Sequence, residues 1–165
     1  MPTLLAALVL APAPPSEFAT LDATVGALYD VISGPAGKKR DWNRMRSLFT
    51  PEARMIALAK TPKGELRRRV LTVEDYIRTS GPFLEERGFF EREIARRTET
   101  YGAMTHVWST YEARQNADDP KPFMRGVNSL GLWNDGTRWW IESLTWQSED
   151  STTPLPERYL KSGGG

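Results

Sequence analysis

The chain contains no cysteine and only one histidine, His106, among its 165 residues. Without cysteine, disulfide bonds, thiolate nucleophiles and cysteine metal ligands are all excluded. One histidine is too few for a zinc site of the usual histidine-based type, and nothing supplies a second metal ligand at a recognisable spacing. We therefore predict that the protein uses no metal and no cofactor.

The sequence also lacks an excess of one charge and a long apolar run. It has 22 basic and 21 acidic side chains, which leaves a net charge of +1. Nucleic acids and anionic membranes select strongly basic surfaces, so we expect no nucleic-acid partner and no membrane partner after signal removal. The apolar run Leu4–Ala11 has 8 residues, far fewer than the ~20 that span a bilayer.

This short apolar run resembles the core of a secretory signal peptide, and residues 11–13 resemble an A-x-A-type cleavage site. No Lys or Arg precedes the run, and a disordered apolar leader is the alternative. We predict that residues 1–15 are a signal peptide and Pro-rich joint, which places the protein in the periplasm or outside the cell; otherwise it is cytoplasmic. Residues 16–150 are predicted to form one domain and residues 151–165 a flexible tail.

Hydrophobic spacing predicts helices in the first half of this domain. Apolar residues recur three and four positions apart over Phe18–Ile32, as on one face of an amphipathic helix. Asp41 is a good N-cap for a short second helix. Thr72 with Asp75 resembles the capping box of a third helix, which we expect to break or kink at Gly81-Pro82. Two brief strands are predicted between the second and third helices: Arg54–Ala59 and Arg67–Leu71.

After residue 88 the apolar period changes from that of a helix to that of a strand. The pair Asp135-Gly136 separates the last two segments and is the strongest short-range signal for a hairpin. Helices first and a long antiparallel meander last predict an α+β domain in which the helices cover one face of a curved sheet. The four predicted strands are Phe89–Thr100, Ala103–Arg114, Phe123–Asn134 and Thr137–Gln147.

This order of elements resembles the nuclear transport factor 2-like superfamily, in its SnoaL-like branch, over roughly residues 17–149. The segments that carry the resemblance are LFTPEARM, TVEDYIRTSGPFL and RGVNSLGLWNDGTRWWIESLTWQSED. It implies a cone-shaped curved antiparallel sheet with the N-terminal helices packed on its concave face, a deep cavity between them, and a homodimer formed through the outer face. Members include isomerases, dehydratases, hydrolases and non-enzymatic proteins, so the resemblance implies no single activity.

Ionisable groups are predicted in mid-strand on one face of the last hairpin. If Asp135-Gly136 is a two-residue loop, Ser129 lies opposite Glu142, and Arg125 lies opposite Trp146. A carboxylate among large apolar neighbours is costly unless it is paired or has a raised pKa. Glu142 is therefore a candidate general acid or base with Ser129 as a hydrogen-bond donor, or else a solvated or dimer-interface residue. Arg125 could stack on Trp146 or clamp an anionic ligand.

His106 is the side chain whose ordinary pKa lies nearest to neutrality, which makes it the second candidate for proton transfer. It shares a strand face with Trp108, and a hydrogen-bonded packing role is the alternative. Tyr29, beside the apolar stripe of the first helix, could reach the cavity with its hydroxyl or simply pack in the core. The charge-rich strand FFEREIARRTET is predicted to be a solvated edge.

These features predict a small-molecule-binding protein or a cofactor-independent enzyme of isomerase, dehydratase or hydrolase type, with an apolar aromatic pocket. The alternative is a non-catalytic dimerisation, assembly or carrier protein whose cone is filled by its own side chains. The expected partners are a small hydrophobic molecule and a second copy of the chain. The predicted catalytic residues are His106 and Glu142, and the predicted substrate-binding residues are Tyr29, Trp108, Arg125, Ser129 and Trp146.

Overall fold

The computed structural model describes residues 17–61 and 63–164. The predicted signal peptide and Pro-rich joint lie outside these residues, so export stays a prediction. None of the described helices is long and apolar enough to span a bilayer. The elements in chain order are α1 (Leu21–Ile32), α2 (Trp42–Leu48), β1 (Phe49–Lys60), β2 (Leu66–Leu71), α3 (Val73–Arg87), β3 (Phe90–Tyr101), β4 (Met104–Arg114), β5 (Met124–Asn134), β6 (Trp139–Ser148), a 3₁₀ turn (Glu157–Tyr159) and β7 (Gly163–Gly164).

One curved sheet with helices on one face forms the domain, which confirms the predicted α+β architecture. Strands β3 to β6 form the predicted antiparallel meander. Strand β1 then lies beside β6 in the parallel direction and β2 extends that edge, which gives the order β2-β1-β6-β5-β4-β3-β7. The sheet is therefore mixed rather than purely antiparallel, because β1 and β6 both start at the end where Phe49 pairs with Ile141.

The second and third helices begin at the predicted caps. The Asp41 carboxylate accepts a hydrogen bond from the Arg44 N–H at 2.9 Å, and Thr72 forms a capping box with the third residue of α3. Although Pro82 removes one N–H from the interior of α3, the helix continues to Arg87. Gly88, with φ +77°, ends it in a conformation that favours glycine.

Arg40 joins the ends of the first and third helices from a buried position, with 7% of its surface exposed. Its Nε donates to the Ile32 carbonyl at 3.0 Å, and its Nη2 donates to the carbonyls of Gly34 at 2.6 Å and Leu84 at 2.9 Å. Carbonyls near a helix C-terminus have no partner within the helix. Arg40 supplies these partners and thereby fixes the two helices over the sheet.

The turn between β5 and β6 is longer than predicted. Asp135 accepts hydrogen bonds from the N–H and hydroxyl of Thr137 at 2.8 and 2.7 Å and from the Arg138 N–H at 2.9 Å. Local bonds of this kind let an aspartate close its own turn. The loop therefore spans residues 135–138, with Asn134 opposite Trp139. The prediction of a two-residue loop is wrong, and so are the cross-strand pairs derived from it.

A β-bulge at Glu142 shifts the register of this hairpin again. Glu142 has no partner on β5, as is usual for the extra residue of a bulge. After the bulge, Trp146 pairs with Asn128 on the face that the helices cover. The predicted stacking of Arg125 on Trp146 is wrong, because the two side chains lie on opposite faces of the sheet.

Residues 151–164, which belong to the predicted flexible tail, lie against the outer face and the β3 edge of the sheet. Lys60 Nζ binds the Asp150 carboxylate at 2.9 Å, and the Thr110 hydroxyl donates to the Tyr159 carbonyl at 2.5 Å. Gly163–Gly164 forms a short parallel strand beside β3. The composition of the last residues is that of a linker, but these contacts depend on groups from distant strands.

Candidate functional site

A cavity of about 280 Å³ lies between the helices and the sheet. Small-molecule sites usually have roughly 300–1,000 Å³, so this space lies just below that range. Apolar wall residues come from each helix and from the sheet, among them Leu28, Met45, Met55, Leu84, Leu144 and Trp146.

Glu91 brings a carboxyl group into this apolar wall. It pairs with Ala113 in the ladder between β3 and β4, and the Ala113 side chain is fully buried beneath the helices. Ser33, the C-cap of α1, accepts a hydrogen bond from the Glu91 N–H at 3.0 Å. Strand alternation and this bond to the helix end together direct the carboxyl inward.

The electrostatic environment of Glu91 favours its neutral form. Burial raises the pKa of its carboxyl from an ordinary 4.5 to about 8, while the Asn128 amide, at 3.4 Å from Oε1, opposes the rise. No basic residue of the described chain contributes to this pKa. At pH 7 the carboxyl is mostly protonated, with a minor ionised fraction that is a much stronger base than an ordinary carboxylate.

Tyr76 of α3 places a phenol in the same cavity. Burial raises the pKa of this phenol and the nearby Glu91 charge raises it further, and no hydrogen bond from the described residues opposes the rise. Its ring meets the Trp146 ring edge to face, with 6.0 Å between the centroids. Tyr76 is therefore held by aromatic packing, and its hydroxyl has a proton to donate.

A chain of hydrogen bonds connects the cavity to a second glutamate behind it. Asn128 Nδ2 donates to the Tyr29 hydroxyl at 3.0 Å and also approaches Glu91. The Tyr29 and Ser109 hydroxyls lie 2.6 Å apart, and Ser109 donates to Glu93 Oε1 at 2.6 Å. Burial and then the Glu91 charge raise the pKa of Tyr29. The phenol therefore stays protonated and can donate.

On its other side Glu91 borders a wider polar cleft of about 630 Å³ between α1, β3 and the loop after β4. Charged residues in this cleft are largely paired, since Arg92 binds Glu112 at 2.6 Å and Arg114 binds the same carboxylate. The cleft is therefore a solvated surface rather than a second apolar site. It gives the Glu91 carboxyl a route for proton exchange with bulk water.

No family model matches the sequence, and no curated protein is similar to it. Solved structures are similar in three dimensions. A nuclear transport factor 2-like superfamily protein from Salmonella enterica is 14% identical with a TM-score of 0.54, and the match covers 78% of this chain and 88% of that one. A nuclear transport factor 2-like protein of unknown function from Silicibacter pomeroyi is 17% identical with a TM-score of 0.52, and the match covers 78% of this chain and 92% of that one. The chain has the nuclear transport factor 2-like fold.

A third structure, from Nostoc punctiforme, is described as a protein of unknown function with a cystatin-like fold. It is 8% identical with a TM-score of 0.59, and the match covers 79% of this chain and 90% of that one. Similarity at these identities shows the nuclear transport factor 2-like fold and carries no activity with it. The SnoaL-like branch stays a prediction.

On the nuclear transport factor 2-like sheet, four of the predicted site residues lie on the outer face, away from the cavity. His106 Nε2 is 3.0 Å from Ser129 Oγ, and the imidazole meets the Trp108 ring edge to face at 4.8 Å between centroids. Arg125 Nε donates to the Glu149 carboxylate at 2.5 Å. Their expected placement in the cavity is wrong, because the odd positions of β5 and the even positions of β4 point away from the helices.

Glu142 is also outside the cavity. It is exposed at the bulge and accepts a hydrogen bond from the Thr50 hydroxyl at 3.2 Å. This position agrees with the solvated alternative for Glu142 and not with a general acid or base inside the cavity, because the longer turn and the bulge change the register. Of the predicted residues, Trp146 lines the cavity and Tyr29 lies behind it, bonded to Asn128.

The sequence analysis missed Glu91, Tyr76 and Asn128. The strand that contains Glu91 was predicted to be a solvated edge because it carries charges of both signs. No pattern of charge within the strand marks the covered face, because Arg96 lies on the same face as Glu91 and Glu93 after the irregularity between Glu93 and Ala95.

Proposed function

We propose that the protein binds a small, mostly apolar carbonyl compound and transfers a proton at the carbon next to the carbonyl group, without a cofactor. One observation carries this proposal: the Glu91 carboxyl lies in a mostly apolar cavity, its pKa is raised to about 8, and no cation among the described residues neutralises it. A stronger base removes a proton from carbon faster, and burial raises the basicity of the ionised Glu91 carboxyl.

In the proposed reaction the ionised Glu91 takes a proton from the substrate carbon. The electron pair left behind forms the double bond of an enolate, and the negative charge moves to the carbonyl oxygen. The Tyr76 hydroxyl donates a hydrogen bond to that oxygen as its charge grows. Protonated Glu91 then returns the proton to the same carbon, which is proton exchange. If it delivers the proton to the far end of a conjugated system instead, the reaction is an isomerisation.

The cavity walls support a substrate with one polar group on an apolar body. Most of their side chains are apolar, and the polar groups in the lining belong to Glu91, Asn128, Ser80, Tyr76 and Tyr111. Phe83 lines the cavity and is 48% exposed, which places it at the mouth. A compound with one or two rings can enter there with its carbonyl group directed at Tyr76, whereas a charged compound would lose its hydration without a partner.

Proton transfer of this kind can be measured without knowledge of the natural substrate. We suggest a panel of small cyclic ketones and enones in D₂O, with exchange of the protons next to the carbonyl followed by NMR. The protein should accelerate exchange for part of the panel, and Glu91→Gln should lower the rate by about 100-fold or more. Glu142→Gln, at an exposed glutamate, is the matched control and should keep the rate. Equal rates in the Glu91→Gln variant and the wild type would contradict the proposal.

We also infer a homodimer formed through the outer face of the sheet. Four large side chains are cross-strand neighbours there, Tyr101, Met104, Trp133 and Trp140. Met104 is 63% exposed and Trp133 38% exposed, and contiguous exposed apolar groups of this kind favour association. Light scattering should give twice the chain mass for the wild type and a single chain mass for Trp133→Glu. A wild-type monomer at all concentrations would contradict the inference.

A further inference from the structure

In the hydrogen-bond chain behind the cavity, each group has a fixed role as donor or acceptor. These roles are set by the carboxylate at the outer end of the chain. Arg96 binds the Glu93 carboxylate through Nε at 2.8 Å and Nη2 at 2.6 Å. A carboxylate in an ion pair accepts hydrogen bonds and donates none. Ser109 therefore gives its only hydroxyl proton to Glu93, at 2.6 Å. Its oxygen is left as the acceptor for the Tyr29 hydroxyl.

The same order of donors and acceptors fixes the orientation of the Asn128 amide. Because the Tyr29 hydroxyl donates to Ser109 at 2.6 Å, it can only accept from Asn128 Nδ2, at 3.0 Å. The amide nitrogen is therefore held on the Tyr29 side. An amide nitrogen carries two hydrogens, and the second is available to Glu91 Oε1, which lies 3.4 Å from Asn128 Nδ2. With the amide oxygen in this place instead, two acceptors would face each other whenever Glu91 is ionised.

We propose that Tyr29, Ser109 and Glu93 are positioning residues that hold the Asn128 amide as a hydrogen-bond donor to the Glu91 carboxylate. The catalytic meaning of this inference rests on the proposed proton transfer at Glu91. A donor stabilises the ionised carboxyl, whereas a rotated amide would stabilise only the protonated one. The hydrogen-bond chain thus limits the rise in the pKa of Glu91 that burial causes, and it keeps this carboxyl able to ionise near neutral pH.

A second tyrosine–serine pair near Glu91 provides a control, because it lies outside this chain. The Tyr111 hydroxyl is 3.0 Å from Ser148 Oγ, and burial, with the Glu91 charge as a lesser cause, raises the pKa of Tyr111 to about 12. The titratable groups that share the cavity or the cleft with Glu91 are Tyr29 and Asp30 of α1, Tyr76 of α3, Arg92 and Glu93 of β3, Tyr111 and Arg114 of β4, and Asp118 and Asp119 of the loop after β4. Loss of either serine hydroxyl leaves all of these charges unchanged.

The test compares Ser109→Ala with Ser148→Ala by a ¹³C NMR titration of labelled glutamate carboxyls. The Glu91 signal is identified by its absence in Glu91→Gln. Loss of a hydrogen bond to a charged group corresponds to a rise of about one pKa unit. We expect that rise for Glu91 in Ser109→Ala and a change of at most a few tenths in Ser148→Ala. Equal changes in both variants, or none in Ser109→Ala, would overturn the positioning role.

The two proposals fail in different ways. A wild-type Glu91 that titrates near 4 or 5 contradicts the proposed function itself. A wild-type value near 8 that Ser109→Ala leaves unchanged contradicts the positioning role alone. If Ser109→Ala does not fold, Tyr29→Phe with Tyr111→Phe as its control gives the same comparison, because each removes one phenol hydroxyl near Glu91.

Discussion

Trp146 stands directly opposite Asn128 on the neighbouring strand, and both side chains line the cavity. This pair joins the apolar part of the cavity to its polar part, since the indole packs against Tyr76 and the amide approaches Glu91. In the proposed function, a ligand that fills the space contacts both parts at once. The apolar part would supply binding energy, and the polar part would direct the ligand's polar group toward the carboxyl.

Glu91→Gln should stabilise the protein at alkaline pH. The pKa of Glu91 is about 8 in the folded state and 4.5 ordinarily, so the folded state binds the extra proton between these values and wild-type stability falls as the pH rises through them. A glutamine stays neutral throughout. The free energy of unfolding of Glu91→Gln should equal that of the wild type at pH 5 and exceed it by about 2–4 kcal/mol at pH 9. This is less than the full pKa shift of Glu91 corresponds to, because water reaches the carboxyl through the cleft.

Urea unfolding of both proteins at pH 5, 7 and 9 measures this difference. Glu142→Gln serves as the control and should show no such trend, because that carboxylate is exposed. A stability difference that does not change with pH would mean that Glu91 ionises normally in the folded protein.

Tyr76→Phe should lower activity without loss of stability. The Tyr76 hydroxyl has no hydrogen bond among the described residues, so its removal should change the free energy of unfolding by less than about 0.5 kcal/mol. Loss of a donor to the enolate oxygen should slow exchange by about 10- to 100-fold. Tyr111→Phe removes a hydroxyl that binds Ser148 and should instead cost about 1 kcal/mol of stability. Equal exchange rates in Tyr76→Phe and the wild type would exclude this role.

Arg40→Met should destabilise the fold strongly. Its guanidinium serves carbonyls of α1, α3 and the loop between α1 and α2, and their loss together should cost about 3–5 kcal/mol. Arg40→Lys should keep only part of the lost stability, because an ammonium group cannot reproduce the planar, forked arrangement of donors on the guanidinium. Arg44→Met, which breaks ion pairs with the partly exposed Glu17 and Asp30, should cost less than about 1 kcal/mol. Thermal unfolding of the three variants tests this order.

Two glycine substitutions should act in opposite directions. A Cβ at Gly126 would lie 2.3 Å from the Gln147 carbonyl oxygen and 2.6 Å from the Tyr111 hydroxyl, so Gly126→Ala must displace backbone and should cost about 2 kcal/mol or more. Gly26 lies inside α1 with open space around its Cα, so Gly26→Ala should stabilise by about 0.5–1 kcal/mol. Chemical denaturation of both variants checks the two signs.

Much of the fold could be predicted because its signals are local. The caps Asp41 and Thr72, the stop at Gly88 and the change of apolar period after it depend on residues close together in sequence. The fold class followed from the order of these elements. The parallel contact between β1 and β6 could not be predicted in the same way, because it brings together strands from opposite ends of the domain.

The candidate site depends on register and on which face is covered, and neither is local. Hydrogen bonds of Asp135 lengthened the last turn, and a bulge at Glu142 moved Trp146 to the inner face. Glu91 looked like a surface residue because its strand is rich in charge. Its burial depends on contact with α1, which lies at the start of the domain, and no pattern within the strand records that contact.

The most direct test of the account is the pH dependence of exchange, measured for the panel compound that exchanges fastest. In the wild type the rate should rise with pH to a plateau with a midpoint near 8, because Glu91 acts as a base only when ionised. In Glu91→Gln that dependence should disappear together with the enzymatic rate. A midpoint near 4 or 5, or the same profile in the variant, would show that Glu91 is not the base.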